Sequence, residues 1–193
     1  DKESFEFRDF FPNFNRNFET FHQIYYFDRK IWAASDDGLF YAPGNFLRYN
    51  LKSADNWNIL TTSNGLPHNT VYSLDSIGDT LFIGTESGVS KYVNQTFFNF
   101  GTVPIQKMTT LQNDLYVGNT RNIYLLKGSR FTAQYRSTIN NINDFTVDDS
   151  RNLWISFEEK GILNPGQDKR LWFNGPVDNI LGHLTLNSRG ELW

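Results

Sequence analysis

The chain has 193 residues, of which 39% are hydrophobic and 17% are aromatic, and its net charge is −3. A domain of this size can bury a sizeable core, and the absence of cysteine excludes disulfides, thiolate nucleophiles and cysteine-based zinc or iron–sulfur sites. The mild negative charge argues against a nucleic-acid partner, and no apolar run approaches the roughly 18 residues of a membrane span. We therefore expect a domain without a cofactor, without a nucleic-acid partner and without direct membrane insertion.

The first 20 residues do not share the pattern of the rest of the chain. Phe5-Glu6-Phe7 alternates like a strand, and Phe10-Phe11-Pro12-Asn13 then interrupts the alternation. We predict one lead-in strand over residues 4–7, followed by a loop. No apolar stripe with the helical period persists beyond two turns anywhere in the chain, which favours an all-β protein.

The next 43 residues read as four strands. Apolar strands are predicted over residues 23–27, 30–34 and 39–41, separated by turns at Asp28-Arg29 and at Asp37-Gly38. Asp-Gly, like the following Pro43-Gly44, is a strong local turn signal. A longer polar segment follows, and we predict a fourth, outer strand over residues 57–60.

Residues 79–97 show the repeating unit most clearly. A tight polar turn leads into an apolar strand at 81–83, a polar turn at 86–88, a second alternating strand at 89–92, and another turn at Asn94-Gln95. Versions of this unit occur at five places, and the last stops at Trp193. The predicted repeats cover residues 21–63, 64–102, 103–138, 139–178 and, incompletely, 179–193.

One aromatic residue occupies the equivalent position of the second strand in every repeat. These residues are separated by 50, 34, 38 and 39 positions, and they are Trp32, Phe82, Tyr116, Trp154 and Trp193. A period of about 40–45 residues with four short strands is typical of a propeller blade. An immunoglobulin-like sandwich also has many short strands but gives no reason for recurrence at this interval. We therefore predict a β-propeller of four-stranded antiparallel blades, with about four and a half blades present.

The second repeat resembles a known family. Gly65-Leu66-Pro67-His68-Asn69-Thr70-Val71, followed by Leu81-Phe82-Ile83-Gly84-Thr85-Glu86-Ser87-Gly88-Val89, is similar to the two-component-regulator propeller repeat. The fourth repeat resembles it through residues 148–156, the fifth through residues 187–193 and the first through residues 31–39, whereas the third is the most divergent. The resemblance extends over residues 21–193.

The resemblance implies a fold and a setting. Such repeats form seven-bladed propellers outside the bacterial cytoplasm, notably in Bacteroidetes. They serve as sensor regions of hybrid histidine kinases that detect glycans, and they also occur in secretion-system and surface proteins. Because five copies are fewer than seven, the chain is expected to be a fragment of a larger propeller. The alternative is a closed five-bladed ring completed by the lead-in strand. Dimerisation as part of a longer chain is compatible with either arrangement.

Two classes of loop are expected to converge on one face of the propeller and to form its ligand-binding surface. The first class joins second to third strands (residues 35–38, 85–88, 119–122 and 157–161), and the second joins successive repeats (64–69, 101–104, 137–141 and 174–178). We predict that ligand contacts come from Asp37, His68, Asn69, Glu86, Arg121 and Glu158. The alternative is that these residues only serve their turns, where Asp and Asn side chains bond the local backbone.

No catalytic or metal-binding motif stands out, since there is no His-x-His pair and no cysteine. We therefore expect a non-enzymatic recognition module of a periplasmic, cell-surface or secreted bacterial protein, with a glycan or a protein as partner. A propeller lyase or hydrolase acting on a polysaccharide is the first alternative, because loop carboxylates and His68 could supply acid–base groups. A structural component of a surface or secretion complex is the second.

Overall fold

A computed structural model describes residues 20–45, 47–138, 141–157 and 161–171. These residues form four antiparallel sheets of four strands each, connected as simple meanders. The first sheet contains β1 (Phe21–Phe27), β2 (Lys30–Ser35), β3 (Leu39–Pro43) and β4 (Asn58–Leu60), and the second contains β5 (Val71–Ile77), β6 (Thr80–Thr85), β7 (Gly88–Val93) and β8 (Thr96–Phe100). The third contains β9 (Lys107–Leu111), β10 (Asp114–Gly118), β11 (Asn122–Lys127) and β12 (Arg130–Arg136), and the fourth contains β13 (Ile142–Val147), β14 (Leu153–Phe157), β15 (Gly161–Asn164) and β16 (Lys169–Leu171).

Helical structure in the described residues is limited to three 3₁₀ turns, at Ala54–Asn56, Thr62–Asn64 and Pro165–Gln167. The second of these carries a capping box between Thr61 and Asn64 and ends at Gly65 in the left-handed conformation. It redirects the chain from the outer strand of one sheet to the inner strand of the next. Within this turn, polar side chains make the hydrogen bonds that the loop backbone needs.

The first strands of successive sheets pack side by side. β1 lies against β5, β5 against β9, and β9 against β13. Each sheet then continues outward in chain order to its fourth strand. This arrangement of sheets around a common axis is that of a β-propeller, and each sheet is one blade. The predicted fold is therefore confirmed for about four blades.

Three hydrophobic cores join neighbouring blades. Between blades 1 and 2, Trp32 and Leu39 pack with residues of blade 2 such as Leu74 and Ile83. Equivalent cores centred on Ile105 and Phe145 join blades 2 and 3, and blades 3 and 4. A single four-stranded sheet cannot bury both of its faces, so the blades depend on one another for their hydrophobic stabilisation.

The second-strand aromatic residues that define the sequence period occupy equivalent places in the structure. Trp32, Phe82, Tyr116 and Trp154 lie in β2, β6, β10 and β14, and the first three pair with Tyr25, Asp75 and Thr109 of the preceding strands. Trp32 and Tyr116 are buried. Trp154 is only half-buried, and its indole N–H donates to Asp148 in the adjacent turn. Its role therefore includes fixing that turn.

Two glycines lie where neighbouring blades approach closely. A Cβ atom at Gly84 would lie 2.5 Å from the carbonyl oxygen of Ile105 in blade 3, and one at Gly118 would lie 2.8 Å from the ring of Phe145 in blade 4. The corresponding residue of blade 1 is Ala34, which is fully buried. Small residues at this position allow the sheets to stack near the axis.

The predicted lead-in strand at residues 4–7 and the fifth repeat at residues 179–193, including Trp193, lie outside the described residues.

Candidate functional site

The described members of the two predicted classes of loop lie together at one end of the blades, which we call the loop face. Thr70, at the start of blade 2, connects them: its carbonyl accepts from the backbone N–H of Glu86, 3.1 Å away, and its hydroxyl donates to the carbonyl of Asp36 at 3.5 Å. In the next blade, the backbone N–H of Ile105 donates to Thr85 at 2.9 Å. In the described residues, the connection between blades 1 and 2 is thus bonded to the β2–β3-type turns of both blades, and the connection between blades 2 and 3 is bonded to the turn of blade 2.

Two of the predicted ligand contacts bond their own loops through their side chains, and a third does so through its backbone. The Nδ1 atom of His68 accepts from the backbone N–H of Thr70 at 3.0 Å, and Oδ1 of Asn69 accepts from the backbone N–H of Thr62 at 2.9 Å. The backbone N–H of Asp37 donates to the hydroxyl of Ser35 at 3.2 Å, and the Asp37 residue itself is exposed. The ring of His68 therefore presents only its Nε2 atom for a ligand.

The remaining predicted contacts differ in their surroundings. Glu86 accepts a hydrogen bond from the hydroxyl of Tyr72 at 2.7 Å. Arg121 is exposed, and its backbone N–H donates to Oδ1 of Asn119 at 2.9 Å within its turn. Glu158 lies outside the described residues. Of the predicted residues, Glu86 is therefore the one that the described structure builds into a larger polar cluster.

That cluster spans blades 1 and 2 and consists of His22, Asp36, Tyr72 and Glu86. The Nε2 atom of His22 lies 2.8 Å from Oδ1 of Asp36, and the side chains of these two residues are 24% and 33% exposed. The His22 ring makes an edge contact with the ring of Tyr72, with centroids 5.0 Å apart. The four side chains thus form a continuous row from the turn of one blade to the turn of the next. We call this row the polar row.

The strand geometry explains why His22 and Tyr72 point to the loop face. The pairing register shifts between Phe21 and Gln23 in β1 and between Val71 and Ser73 in β5, which leaves His22 and Tyr72 as the extra residues of β-bulges. A bulge redirects the side chain of its extra residue and increases the local twist.

The other two blades carry polar residues at the same place. Asn143 occupies a bulge in β13. In blade 3 the equivalent residue is Gln106, whose backbone N–H donates to Gly118 and whose Oε1 atom accepts from the backbone N–H of Thr120. In every described blade, a polar residue thus lies at the start of the inner strand or immediately before it.

The electrostatics of the polar row keep the hydroxyl of Tyr72 protonated. Burial, the hydrogen bond to Glu86 and the negative charges of Glu86 and Asp36 raise the pKa of Tyr72 to about 12. The hydroxyl therefore remains protonated at neutral pH, when it can donate but cannot act as a base. The Tyr72 proton is donated to Glu86 and Nε2 of His22 is paired with Asp36, so the row offers the phenol oxygen, the second imidazole nitrogen and the remaining carboxylate lone pairs. These groups suit a ligand rich in hydroxyl or amide groups. Among the described residues, no group of three potential ligands is placed to hold a metal ion.

The sequence reasoning missed His22 and Tyr72 as parts of the site. A usable sequence pattern exists, because an apolar residue followed by a polar one lies at the start of the inner strand of each described blade, or immediately before it. The pairs are Phe21-His22, Val71-Tyr72, Ile105-Gln106 and Ile142-Asn143. Aligning the first strands of the repeats, rather than the turns, would have identified these positions.

No family model matches the chain, and a search of curated proteins found no match. Solved structures do resemble it. The extracellular domain assigned to the hybrid two-component system BT4673 of B. thetaiotaomicron superposes with a TM-score of 0.71 at 15% identity over 92% of this chain and 27% of that one. The WD40 β-propeller domain of Doa1 gives 0.60 at 9% identity over 88% and 58%. PorZ, a surface component of the type-IX secretion system of Porphyromonas gingivalis, gives 0.56 at 20% identity over 90% and 24%.

These likenesses establish the propeller fold. The chain spans about a quarter of the BT4673 domain and of PorZ, and 58% of the Doa1 domain. None of its described helices is long and apolar enough to span a membrane.

Proposed function

We propose that this chain is a non-enzymatic recognition propeller of a bacterial extracytoplasmic protein and that its loop face binds a glycan or a protein partner. The observation that carries the proposal is the polar row, because His22, Asp36, Tyr72 and Glu86 come from four separate elements and meet at one surface. The likeness to the BT4673 extracellular domain supports a sensor region within a longer signalling protein. The likeness to PorZ supports a surface setting.

The polar row favours a glycan among the possible ligands. Sugar hydroxyls can donate to the carboxylate of Glu86 and to the phenol oxygen of Tyr72, which its own O–H bond holds 2.7 Å from Glu86. The predicted contacts Asp37, His68 and Arg121 would extend the surface around this centre. Ligand sites in proteins commonly combine a few such convergent polar groups with an aromatic ring.

Isothermal titration calorimetry against a panel of neutral and acidic oligosaccharides tests the proposal. Tyr72→Phe and Glu86→Gln should each weaken binding about tenfold, which corresponds to the loss of one good hydrogen bond. The matched controls, Tyr124→Phe and Asp149→Asn, lie in blades 3 and 4 away from the polar row and should bind as the wild type does. Binding that these row variants leave unchanged would contradict the proposal, as would a panel in which no oligosaccharide binds.

A propeller lyase is the second candidate, because an imidazole and a phenol lie in contact with two carboxylates. The raised pKa of Tyr72 argues against its use as a base, which would leave His22 as the base and neutral Tyr72 as the proton donor. Incubation with uronate-containing polysaccharides would produce unsaturated products that absorb in the ultraviolet. Product formation lost in His22→Ala would support this candidate, and binding without product would refute it.

A scaffold role is the third candidate, and the likeness to PorZ favours it. A photo-reactive residue placed at the exposed Asp37 would then crosslink one defined partner on intact cells, whereas the same residue at Asp149 would not. No crosslink at position 37 would refute this role.

A further inference from the structure

A cavity lies at the other end of the blades, away from the loop face. We call this end the turn face, because the β1–β2 and β5–β6 hairpin turns lie there. The cavity has a volume of about 450 Å³ and sits between blades 1 and 2. Its walls come from the β1–β2, β5–β6 and β7–β8 turns, and its lining residues are Phe27, Asp28, Lys30, Asp79, Tyr92, Val93, Asn94 and Gln95. Sites for small molecules commonly have volumes of about 300–1,000 Å³.

Tyr92, which lines the cavity, packs against two other aromatic rings. The ring of Tyr92 lies 5.6 Å from that of Trp32, which is 1% exposed, and 4.8 Å from that of Phe97. Trp32 also contacts the ring of Tyr41, and its indole N–H donates to the carbonyl of Phe27 at 3.1 Å. Because Trp32 is held on several sides, Tyr92 is fixed before any ligand arrives, and such preorganisation lowers the cost of binding.

The polar groups of the cavity include several that the described part of the chain leaves available. Lys30 donates to Asp28 at 3.1 Å, and these side chains are 36% and 67% exposed. Within the described residues, neither the Asp79 carboxylate nor the Tyr92 hydroxyl makes a hydrogen bond to another side chain or to the backbone. Burial raises the pKa of the Tyr92 phenol, Tyr41 and the negative charge of Asp28 add to the increase, and Lys30 opposes it. The phenol is therefore a neutral donor and acceptor at physiological pH.

The charges and donors narrow the class of ligand. Two carboxylates face a single ammonium group, which disfavours phosphate and other polyanions. The rim of carboxylates, an ammonium and two amides disfavours a purely apolar molecule. An uncharged ring with several hydroxyl groups matches both features, because hydroxyls donate to Asp28 and Asp79 and accept from Lys30, Asn94 and Gln95. Its C–H face can pack on an aromatic side chain.

We propose that this turn-face cavity binds an uncharged sugar ring. It is separate from the polar row, and it does not depend on the function proposed for the loop face. The ring would pack against Tyr92, while the Tyr92 hydroxyl and the Asp79 carboxylate would hold its hydroxyl groups.

Saturation-transfer difference NMR with the intact chain tests this site, using glucose, galactose and mannose as probes, with glucosamine and glucuronate as their charged counterparts. At least one neutral hexose should receive saturation transfer, and glucuronate should receive less because two carboxylates face it. Tyr92→Phe keeps the aromatic packing and should weaken binding about fivefold, the factor expected for one hydrogen bond. Asp79→Asn should weaken it similarly.

Matched controls make the result specific. Tyr124→Phe and Asp149→Asn change a partly buried tyrosine and an exposed turn aspartate elsewhere, and they should leave the transfer unchanged. The loop-face variants Tyr72→Phe and Glu86→Gln should also leave it unchanged. The inference is overturned if no neutral hexose receives transfer, if only glucosamine does, or if the loop-face variants abolish the transfer while the cavity variants do not.

Discussion

The side chain of Gln23, in the inner strand of blade 1, makes two hydrogen bonds to the inner strand of blade 2. Its Nε2 group donates to the carbonyl of Leu74 at 3.0 Å, and its Oε1 atom accepts from the backbone N–H of Leu74 at 2.8 Å. The amide thereby imitates a neighbouring strand, and Leu74 is 1% exposed. Replacement of Gln23 by Ala would leave a backbone donor and a backbone acceptor of β5 without partners.

The size of the loss follows from those two groups. An unsatisfied buried polar group costs about 1–3 kcal/mol. Because Gln23 is itself only half-buried, water can reach part of the site. We therefore expect Gln23→Ala to lower the free energy of unfolding by about 2–3 kcal/mol, toward the lower end of the range for two such groups. Urea unfolding followed by tryptophan fluorescence measures this difference.

A second substitution separates hydrogen bonding from side-chain size. Gln23→Glu keeps the acceptor for the Leu74 N–H but places a carboxylate oxygen against the Leu74 carbonyl. Its folded-state pKa should be raised, so the protonated acid can donate and the stability difference from the wild type should shrink as pH falls. Gln134→Ala, an exposed glutamine bonded only to its own strand, is the control and should cost less than about 0.5 kcal/mol. If Gln23→Ala lowers the free energy of unfolding no more than this control does, the hydrogen bonds between Gln23 and Leu74 do not stabilise the contact between the blades.

Three other changes have defined outcomes. Gly84→Ala should destabilise the fold by about 1–3 kcal/mol in urea unfolding, because its Cβ would meet the Ile105 carbonyl at 2.5 Å, whereas Gly166→Ala meets only one atom at 3.6 Å and should be neutral. Burial raises the pKa of Asp75 above its value in the unfolded chain. The stability that Asp75 contributes is therefore present at acid pH and is lost as pH rises through the folded pKa. Asp75→Asn should remove this dependence of the free energy of unfolding on pH. For Asp148, burial raises the pKa, but hydrogen bonds from Trp154 and Asn152 outweigh it and hold the pKa low. Asp148→Asn should therefore be less stable than the wild type at neutral pH. The wild type loses this advantage as pH falls below the unfolded pKa of Asp148, so the two proteins should have the same free energy of unfolding in acid. A difference that stays constant with pH would refute this reasoning.

Much of the fold could be predicted from local sequence features. The hairpin turn at Asp28-Arg29 forms as expected, with both residues in the left-handed region at φ of 48° and 56°. The turn at Asn94-Gln95 does the same, at 48° and 61°. Such turns match the twist of the strands that they join. Together with one aromatic residue in each second strand, they identify the blade from short-range patterns.

The candidate site was less predictable. Glu86 was identified from its turn, but its partner Tyr72 belongs to a bulge, and a single inserted residue leaves no distinctive composition. The position of His68 in an inter-blade loop predicts a ligand contact, yet its Nδ1 atom accepts from the backbone N–H of Thr70. Nothing in the local sequence marks His22, although it contacts both Asp36 and Tyr72.

The sequence by itself determined the blade, because strand length, turn chemistry and the position of Trp32 and its equivalents depend on neighbours close along the chain. Only the tertiary structure decided which side chains share a surface. Gln23 meets Leu74 across 51 residues, and His22 meets Tyr72 across 50, and both contacts depend on how one sheet is rotated against the next. That rotation is set by the packing of many side chains in the cores between blades, and no local stretch of sequence encodes it.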